Sequence, residues 1–192
     1  MSGSSEEVEV KLPFSSAAEA LARLGRAGAL ARGPRTFEDN ALWDRETDPL
    51  STSGRMLRLR RVGARAVLTF KRRIPEDTRY KVCEEHETEI QDPAALEGVL
   101  RGVGFRVAYR YQKYRTLLAL PGVEVAVDET PLGCFVELEG ERGAIDRAAE
   151  RLGFTPERYV RSTYRELQVA ASAGAEPGDL LMQDEAGDSA RG

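Results

Sequence analysis

Strict alternation of charged and apolar residues recurs in segment after segment, and this feature most constrains what the chain can fold into. In EEVEVKL (6–12), strand geometry puts Glu7, Glu9 and Lys11 on one face and Val8, Val10 and Leu12 on the other. Three ionic groups then share a face within about 14 Å, at about 3.4 Å per residue. Arg58 and Arg60 alternate with Leu57 and Leu59, and Thr69 and Lys71 with Leu68 and Phe70. Lys81, Cys83, Glu85, Glu87 and Glu89 share a phase, as do Lys113 with Arg115 and Glu137 with Glu139. Any one such face, taken alone, is an ordinary sheet surface in water. As a set they are harder to leave wet. Several carry runs of one sign, so neighbouring strands repel unless arranged around counter-charges.

The rest of the pattern supplies the other half of an architecture. Ser15-Ser16 caps a helix over AAEALARLGRAGAL, with Ala17, Leu21 and Leu24 on one stripe. TFEDNALWD (36–44) is extended, 55–62 and 66–73 form a hairpin about Gly63-Ala64-Arg65, and 79–90 is a further strand. Asp92-Pro93 opens a short helix. Strands follow at 105–120, 123–130 and 134–141, then an amphipathic helix at 144–154 and a last helix from Pro156 through YVRSTYRELQ. An antiparallel sheet of about eight strands curls or closes. The expected fold is α+β: an eight-stranded antiparallel β-barrel with helices packed on its apolar outside and the charged faces turned inward. Residues 1–169 form one domain, and 170–192, poor in large apolar residues and acidic, is expected to be a disordered tail.

Charge and composition exclude several functions. The tail from Ala170 holds five acids and one base, which leaves 27 acids and 27 bases in the remainder. A neutral body argues against a nucleic-acid surface. No apolar run can span a bilayer and no signal peptide opens the chain, so a cytoplasmic protein is expected. Cys83 and Cys134 form no CxxC pair and read as free, buried thiols. The single His86 falls on the face opposite Glu85 and Glu87, leaving no basis for a His-built zinc site or a Ser–His–Asp triad. Any metal site is carboxylate-built and suits Mg²⁺ or Mn²⁺. Trp43, Phe70, Phe105 and Phe135 read as packing groups, and Tyr164 as an anchor for the final helix.

An inward wall of arginines, lysines and clustered carboxylates needs something to neutralise it. A polyphosphate with divalent cations fits both halves: basic groups hold phosphate oxygens and carboxylates hold the metal. GxxxxGK[ST] and a pre-helical GxGxxG are absent, so phosphate would be held by side chains on strands.

Glu7-Val8-Glu9-Val10-Lys11 matches the ExExK signature of the CYTH proteins, the triphosphate tunnel metalloenzymes. The later elements follow in the same order: LRLR (57–60), LTFK (68–71), Lys81 with Glu85 and Glu87, KYRT (113–116) and VDETPLGCFVELEG (127–140). EDNALWD and the terminal RSTYREL resemble the class IV adenylyl cyclase-like branch, and the resemblance spans about residues 6–168. It implies a tunnel that binds a triphosphate with Mg²⁺ or Mn²⁺. By position it makes Glu7, Glu9, Asp128, Glu137 and Glu139 metal-side carboxylates, with Glu85 or Glu87 near them. Lys11, Arg58, Arg60, Lys71, Lys81, Lys113, Arg115 and Arg161 become the triphosphate grip, and Glu137, Glu139 and Lys71 the candidates for catalysis. Cys83 stands where relatives often carry a base. Two reactions suit such a tunnel: cyclisation of ATP to cyclic AMP and pyrophosphate, or hydrolysis of tripolyphosphate or thiamine triphosphate. A module that binds without turnover is a third reading, against which the intact carboxylate pairs speak. A homodimer is compatible with a strand-rich chain of this size.

Overall fold

The alternating segments pair antiparallel, and the pairing closes on itself. The computed structural model describes residues 5–75, 77–172 and 177–183. Its strands are β1 (Ser5–Phe14), β2 (Leu30–Ala31), β3 (Thr36–Arg45), β4 (Arg55–Val62), β5 (Arg65–Ile74), β6 (Lys81–Ile90), β7 (Phe105–Leu120), β8 (Val123–Thr130) and β9 (Gly133–Gly140). Its helices are α1 (Ala17–Arg26), α2 (Pro93–Gly102), α3 (Arg142–Arg151) and α4 (Tyr164–Ala171). Neighbours run β7-β3-β4-β5-β6-β1-β9-β8, and β8 pairs back onto β7 to complete an eight-stranded barrel. The two-residue β2, not foreseen from the sequence, adds to the edge of β7. Closure leaves no long unpaired edge.

Two apolar clusters cover the outside. Val8, Val10 and Leu12 of β1 pack with the outward residues of β8 and β9 beneath α1 and α3, where Leu24 and Ile145 are fully buried. Side chains of this size contribute about 1.5–3 kcal/mol each on full burial. Ala41, Trp43, Leu59 and Ala66 do the same beneath Leu100 of α2. With one wall face committed to helices, register fixes the opposite face as the tunnel lining.

The helix starts agree with the expected caps: Ser16 accepts from the Glu19 amide and Asp92 from the Ala95 amide. Three expectations need correction. The buried stripe of α1 runs through Ala20 and Leu24, while Leu21 is exposed. No single helix runs from Pro156: a 3₁₀ turn (Pro156–Arg158) gives way to extended chain, and α4 starts only at Tyr164. Val160 exchanges two backbone hydrogen bonds with Lys11, taking over the edge of β1 that β6 leaves after Glu9, so the helix cannot begin earlier. Finally, the tail is not wholly disordered. α4 extends to Ala171, and Leu180 is buried, with backbone hydrogen bonds to Arg110 and Gln112 of β7. The expectation for 173–176 and 184–192 lies outside the described residues.

Candidate active site

The inward phase predicted for each strand places charged side chains face to face inside the barrel. Glu7, Glu9 and Lys11 of β1 are all nearly excluded from solvent, as are Arg58, Lys71, Lys113 and Asp128. The buried charges are paired, as desolvation requires. Lys71 hydrogen-bonds Glu7 and lies 3.2 Å from Glu85. Lys81 Nζ is 2.6 Å and Lys11 Nζ 3.0 Å from Glu9 Oε1, and Lys11 is also 3.3 Å from Glu137. Asp128, without exposed surface, gathers Lys113 at 2.7 Å, Arg115 at 2.6 Å and the Tyr164 hydroxyl at 2.7 Å. Arg115 also pairs with Glu137. On the opposite wall, Glu87 takes Arg58 at 3.4 Å, Arg60 at 3.2 Å and the Thr69 hydroxyl at 2.6 Å. Glu38 lies 3.6 Å from Lys113 and 3.9 Å from Arg60.

These contacts fix protonation. Burial alone would raise the Glu9 and Glu137 carboxyls, but the lysines and Arg115 around them win and hold both well below the usual range. Lys11 and Lys71 stay ammonium for the same reason: burial opposes the charge, and the neighbouring carboxylates more than offset it. Arg60 goes the other way, its affinity for protons lowered by burial and then by Arg58. Burial would raise Tyr111, but Arg58 and Lys113 pull it down. Glu139, across from Glu9 in the β1–β9 register, has neither ion pair nor hydrogen bond among the described residues. Although Glu139 keeps access to solvent at the tunnel edge, partial desolvation of its carboxylate, then the charge of Glu7, with lesser contributions from Glu9 and Glu85, push it up to about 7 against Lys71.

A cavity of about 570 Å³ opens off this network. Its charged end is lined by Glu9, Lys11, Arg58, Lys71, Lys81, Lys113, Arg115 and Glu137. The rest of its lining is mixed: Leu42, Leu50, Met56, Leu57, Tyr109 and Val169 of α4 supply an apolar group, with Asp44, Arg55, Arg73, Arg165 and Glu166 also at the wall. α4 seats against this mouth through Tyr164 and Leu167, which pack with Tyr109, Tyr111 and Phe135.

Most of the sequence-predicted residues therefore converge. Glu7, Arg60 and Asp128 face the tunnel beside the cavity, through the partners just described, and Glu139 is placed on the same face by its register opposite Glu9. Arg161 does not converge: it follows Val160, is half-buried, does not line the cavity, and makes no ion pair among the described residues. Cys83 faces inward and lines the cavity, so the departure from a base falls in the tunnel itself. His86 is on the outside beside Glu84, as expected. Sequence reasoning missed Glu38, Asn40 and Tyr111. The period-two signal was present in TFEDNALWD, but Asp39 on the opposite face obscured it.

Seven tunnel cations (Lys11, Arg58, Arg60, Lys71, Lys81, Lys113, Arg115) meet eight carboxylates (Glu7, Glu9, Glu38, Glu85, Glu87, Asp128, Glu137, Glu139) among the described residues. A polyanion entering so nearly neutral a tunnel needs cations of its own, and Mg²⁺ or Mn²⁺ takes the all-oxygen ligands available here. Glu7, Glu9 and Glu139 fit that donor chemistry, Glu139 because nothing yet neutralises it. No three metal-capable side chains converge among the described residues, since Glu7 and Glu9 are drawn to lysines. Asp128 fits less well, enclosed by Lys113, Arg115 and Tyr164.

No helix of the described residues is long and apolar enough to cross a membrane. Among solved structures, the fold is similar to a protein from Pyrococcus horikoshii OT3 (23% identical, TM-score 0.72, covering 84% of this chain and 98% of that one). It is similar also to a proposed adenylate cyclase from Vibrio parahaemolyticus (18%, TM-score 0.74, 86% and 99%). A proposed adenylyl cyclase from Hippeastrum with a dominant triphosphatase activity is a third (22%, TM-score 0.59, 90% and 97%). At these identities the likeness speaks for the fold. No curated protein matches the chain. The CYTH domain model matches residues 5–164, spanning β1 through the start of α4 and so every strand of the barrel, and the chain belongs to the CYTH domain family.

Proposed function

We propose that the protein is a cytoplasmic, divalent-metal-dependent enzyme that cyclises ATP to cyclic AMP and pyrophosphate inside the barrel. One observation carries this reading: the cavity lined by the cationic grip is lined also by a group of apolar and aromatic side chains. A triphosphate alone needs only the first. A nucleoside triphosphate needs both, with its base and ribose against Leu42, Met56, Tyr109 and Val169 and its phosphates between Arg58, Lys71, Lys81, Lys113 and Arg115.

In cyclisation the ribose 3′-hydroxyl loses its proton to water as its oxygen forms a bond to the α-phosphorus, the α–β bridging P–O bond breaks, and pyrophosphate leaves with the electron pair. Charge grows on the leaving bridging oxygen, and Lys71 and Arg58, kept cationic by their neighbours, are placed to neutralise it. Arg115 and Lys113 are already fixed by Asp128 and so present a preorganised wall. Glu7, Glu9 and Glu139 would hold Mg²⁺ or Mn²⁺, which when bound supplies charge neutralisation and a lowered pKa for the attacking hydroxyl. Glu137 lies on the same side, occupied by Lys11, Arg115 and the Tyr164 hydroxyl 3.1 Å away. Its part is to orient these groups.

Purified protein incubated with ATP and Mn²⁺ should yield cyclic AMP and pyrophosphate in equal amounts. ADP and phosphate alone, with fast hydrolysis of tripolyphosphate, would exclude cyclisation. That outcome defines the second reading, an inorganic or thiamine triphosphatase, favoured by a grip that is complete without any contact to a base. Arg58→Ala should lower kcat/KM by at least about tenfold on either substrate, the loss of a charged hydrogen-bond donor.

A further inference from the structure

We propose that Asn40 is a substrate-contacting residue, its side-chain amide donating a hydrogen bond to a phosphoryl oxygen in the tunnel. This rests on the reading of the tunnel as a triphosphate site.

Asn40 lies mid-strand in β3, has no solvent-exposed surface and is not itself part of the cavity lining, but its neighbours Leu42, Arg58 and Tyr111 are. Its strand phase is that of Glu38, which meets Arg60 and Lys113 inside the tunnel, and of Leu42. Its cross-strand partners are Arg60 on β4 and Tyr111 on β7. Neither its Oδ1 nor its Nδ2 has a hydrogen-bond partner among the described residues. Buried amides are nearly always paired, and one left unpaired forfeits its hydration for nothing. The Nε of Arg58, on the adjacent strand and equally buried, is also without a partner. Two unused donors thus lie close together on the β3–β4 wall, while the carboxylates nearby are engaged by cations. A phosphoryl group brings several strong acceptor oxygens to such a wall.

The neutrality of the side chain also fits. Arg60, directly across, already has its charge disfavoured by burial and by Arg58. A further lysine or arginine at position 40 would worsen that repulsion, whereas an amide adds a donor without adding charge. The competing account is a buried water that satisfies the amide for the sake of the fold.

Two variants separate these accounts. Asn40→Leu keeps the volume and removes both polar atoms. Asn40→Asp keeps the shape, removes the donor and adds a charge that repels phosphate. Ligand-free melting temperature and calorimetric Kd for tripolyphosphate and for ATP, each with Mg²⁺, are measured on both variants and the parent. The expected result for Asn40→Leu is an unchanged or higher melting temperature with Kd weakened roughly ten- to a hundredfold, the loss of one hydrogen bond to a charged group. Asn40→Asp should weaken Kd further, and it decides the matter if the leucine variant does not fold. Unchanged Kd in the variants overturns the proposal, whether or not melting falls, and leaves the tunnel reading standing. Failure of the parent to bind either compound overturns both.

Discussion

Glu6 and Glu9 show how much depends on strand phase. Glu6 points outward, exposed, with a 3.2 Å ion pair to Arg142, whereas Glu9 is buried and holds both Lys11 and Lys81. Glu6→Ala should leave kcat/KM unchanged and shift stability by no more than about 0.5 kcal/mol. Glu9→Ala strands the Lys81 ammonium, takes one of two carboxylates from Lys11, and should cost about 1–3 kcal/mol by chemical denaturation, with activity lost. Equal effects of the two substitutions would refute the assigned phase. Cys83 and Cys134 are a second case. Both are buried, and burial raises both thiols, Cys134 to about 11. At neutral pH few thiolates form, so a chromogenic thiol reagent should label the native protein far more slowly than the protein in denaturant. Fast labelling of Cys83 would mean that the tunnel opens. The faces of these residues were legible in the sequence because period two is a local property. That Asn40 is unpaired was not, because it depends on Arg60 and Tyr111 arriving from two distant strands.

At the scale of elements, α4 is the helix that lines the cavity, through Tyr164 and Val169. Thr163 and Glu166 form a reciprocal capping box at its start, and Tyr164 enters the tunnel one residue later. Thr163→Ala removes one cap bond at a cost of about 1 kcal/mol. Amide hydrogen exchange should accelerate across Tyr164–Ala171 and leave β1 and β9 protected. Uniform acceleration would mean that α4 does not open on its own. Its N-terminus was misplaced in the sequence reading because Pro156 is a strong local start signal. The signal that overrides it, the pairing of Val160 with Lys11, spans most of the chain and has no local trace. The same holds for Leu180. A small-residue, acidic stretch gives no reason to expect a buried leucine, yet Asp179 accepts from the Arg110 amide and Gln112 accepts from the Met182 amide. The strand hairpins, set by neighbouring residues and by turns such as Gly63-Ala64, were legible to within a residue or two.

For the whole molecule, closure turns an expensive wall into a stable one by letting opposite charges meet across it. Asp128 is the clearest joint: Asp128→Ala removes the carboxylate that Lys113 and Arg115 share, leaving them only Glu38 and Glu137, and should cost up to about 3–5 kcal/mol. The same arrangement sets the pH dependence. Glu9, Glu38, Glu87 and Glu137 all have folded pKa values below the ordinary 4.5, so their stabilisation is present above that value and is lost as pH falls through the folded ones. Glu139 has the opposite sign. Its folded value of about 7 lies above 4.5, so the fold binds its proton more tightly than the unfolded chain does, and stability falls as pH rises between those values. The melting temperature should therefore climb from acid pH to a maximum near the ordinary carboxylate range and then decline toward pH 7. Glu139→Gln should shrink the decline, leaving the part due to Glu85, which burial also raises, and leave the acid limb unchanged. Mg²⁺ should offset the decline more in the parent protein than in Glu139→Gln, because the cation replaces the proton at that carboxylate. A decline undiminished in Glu139→Gln would place its origin elsewhere in the tunnel.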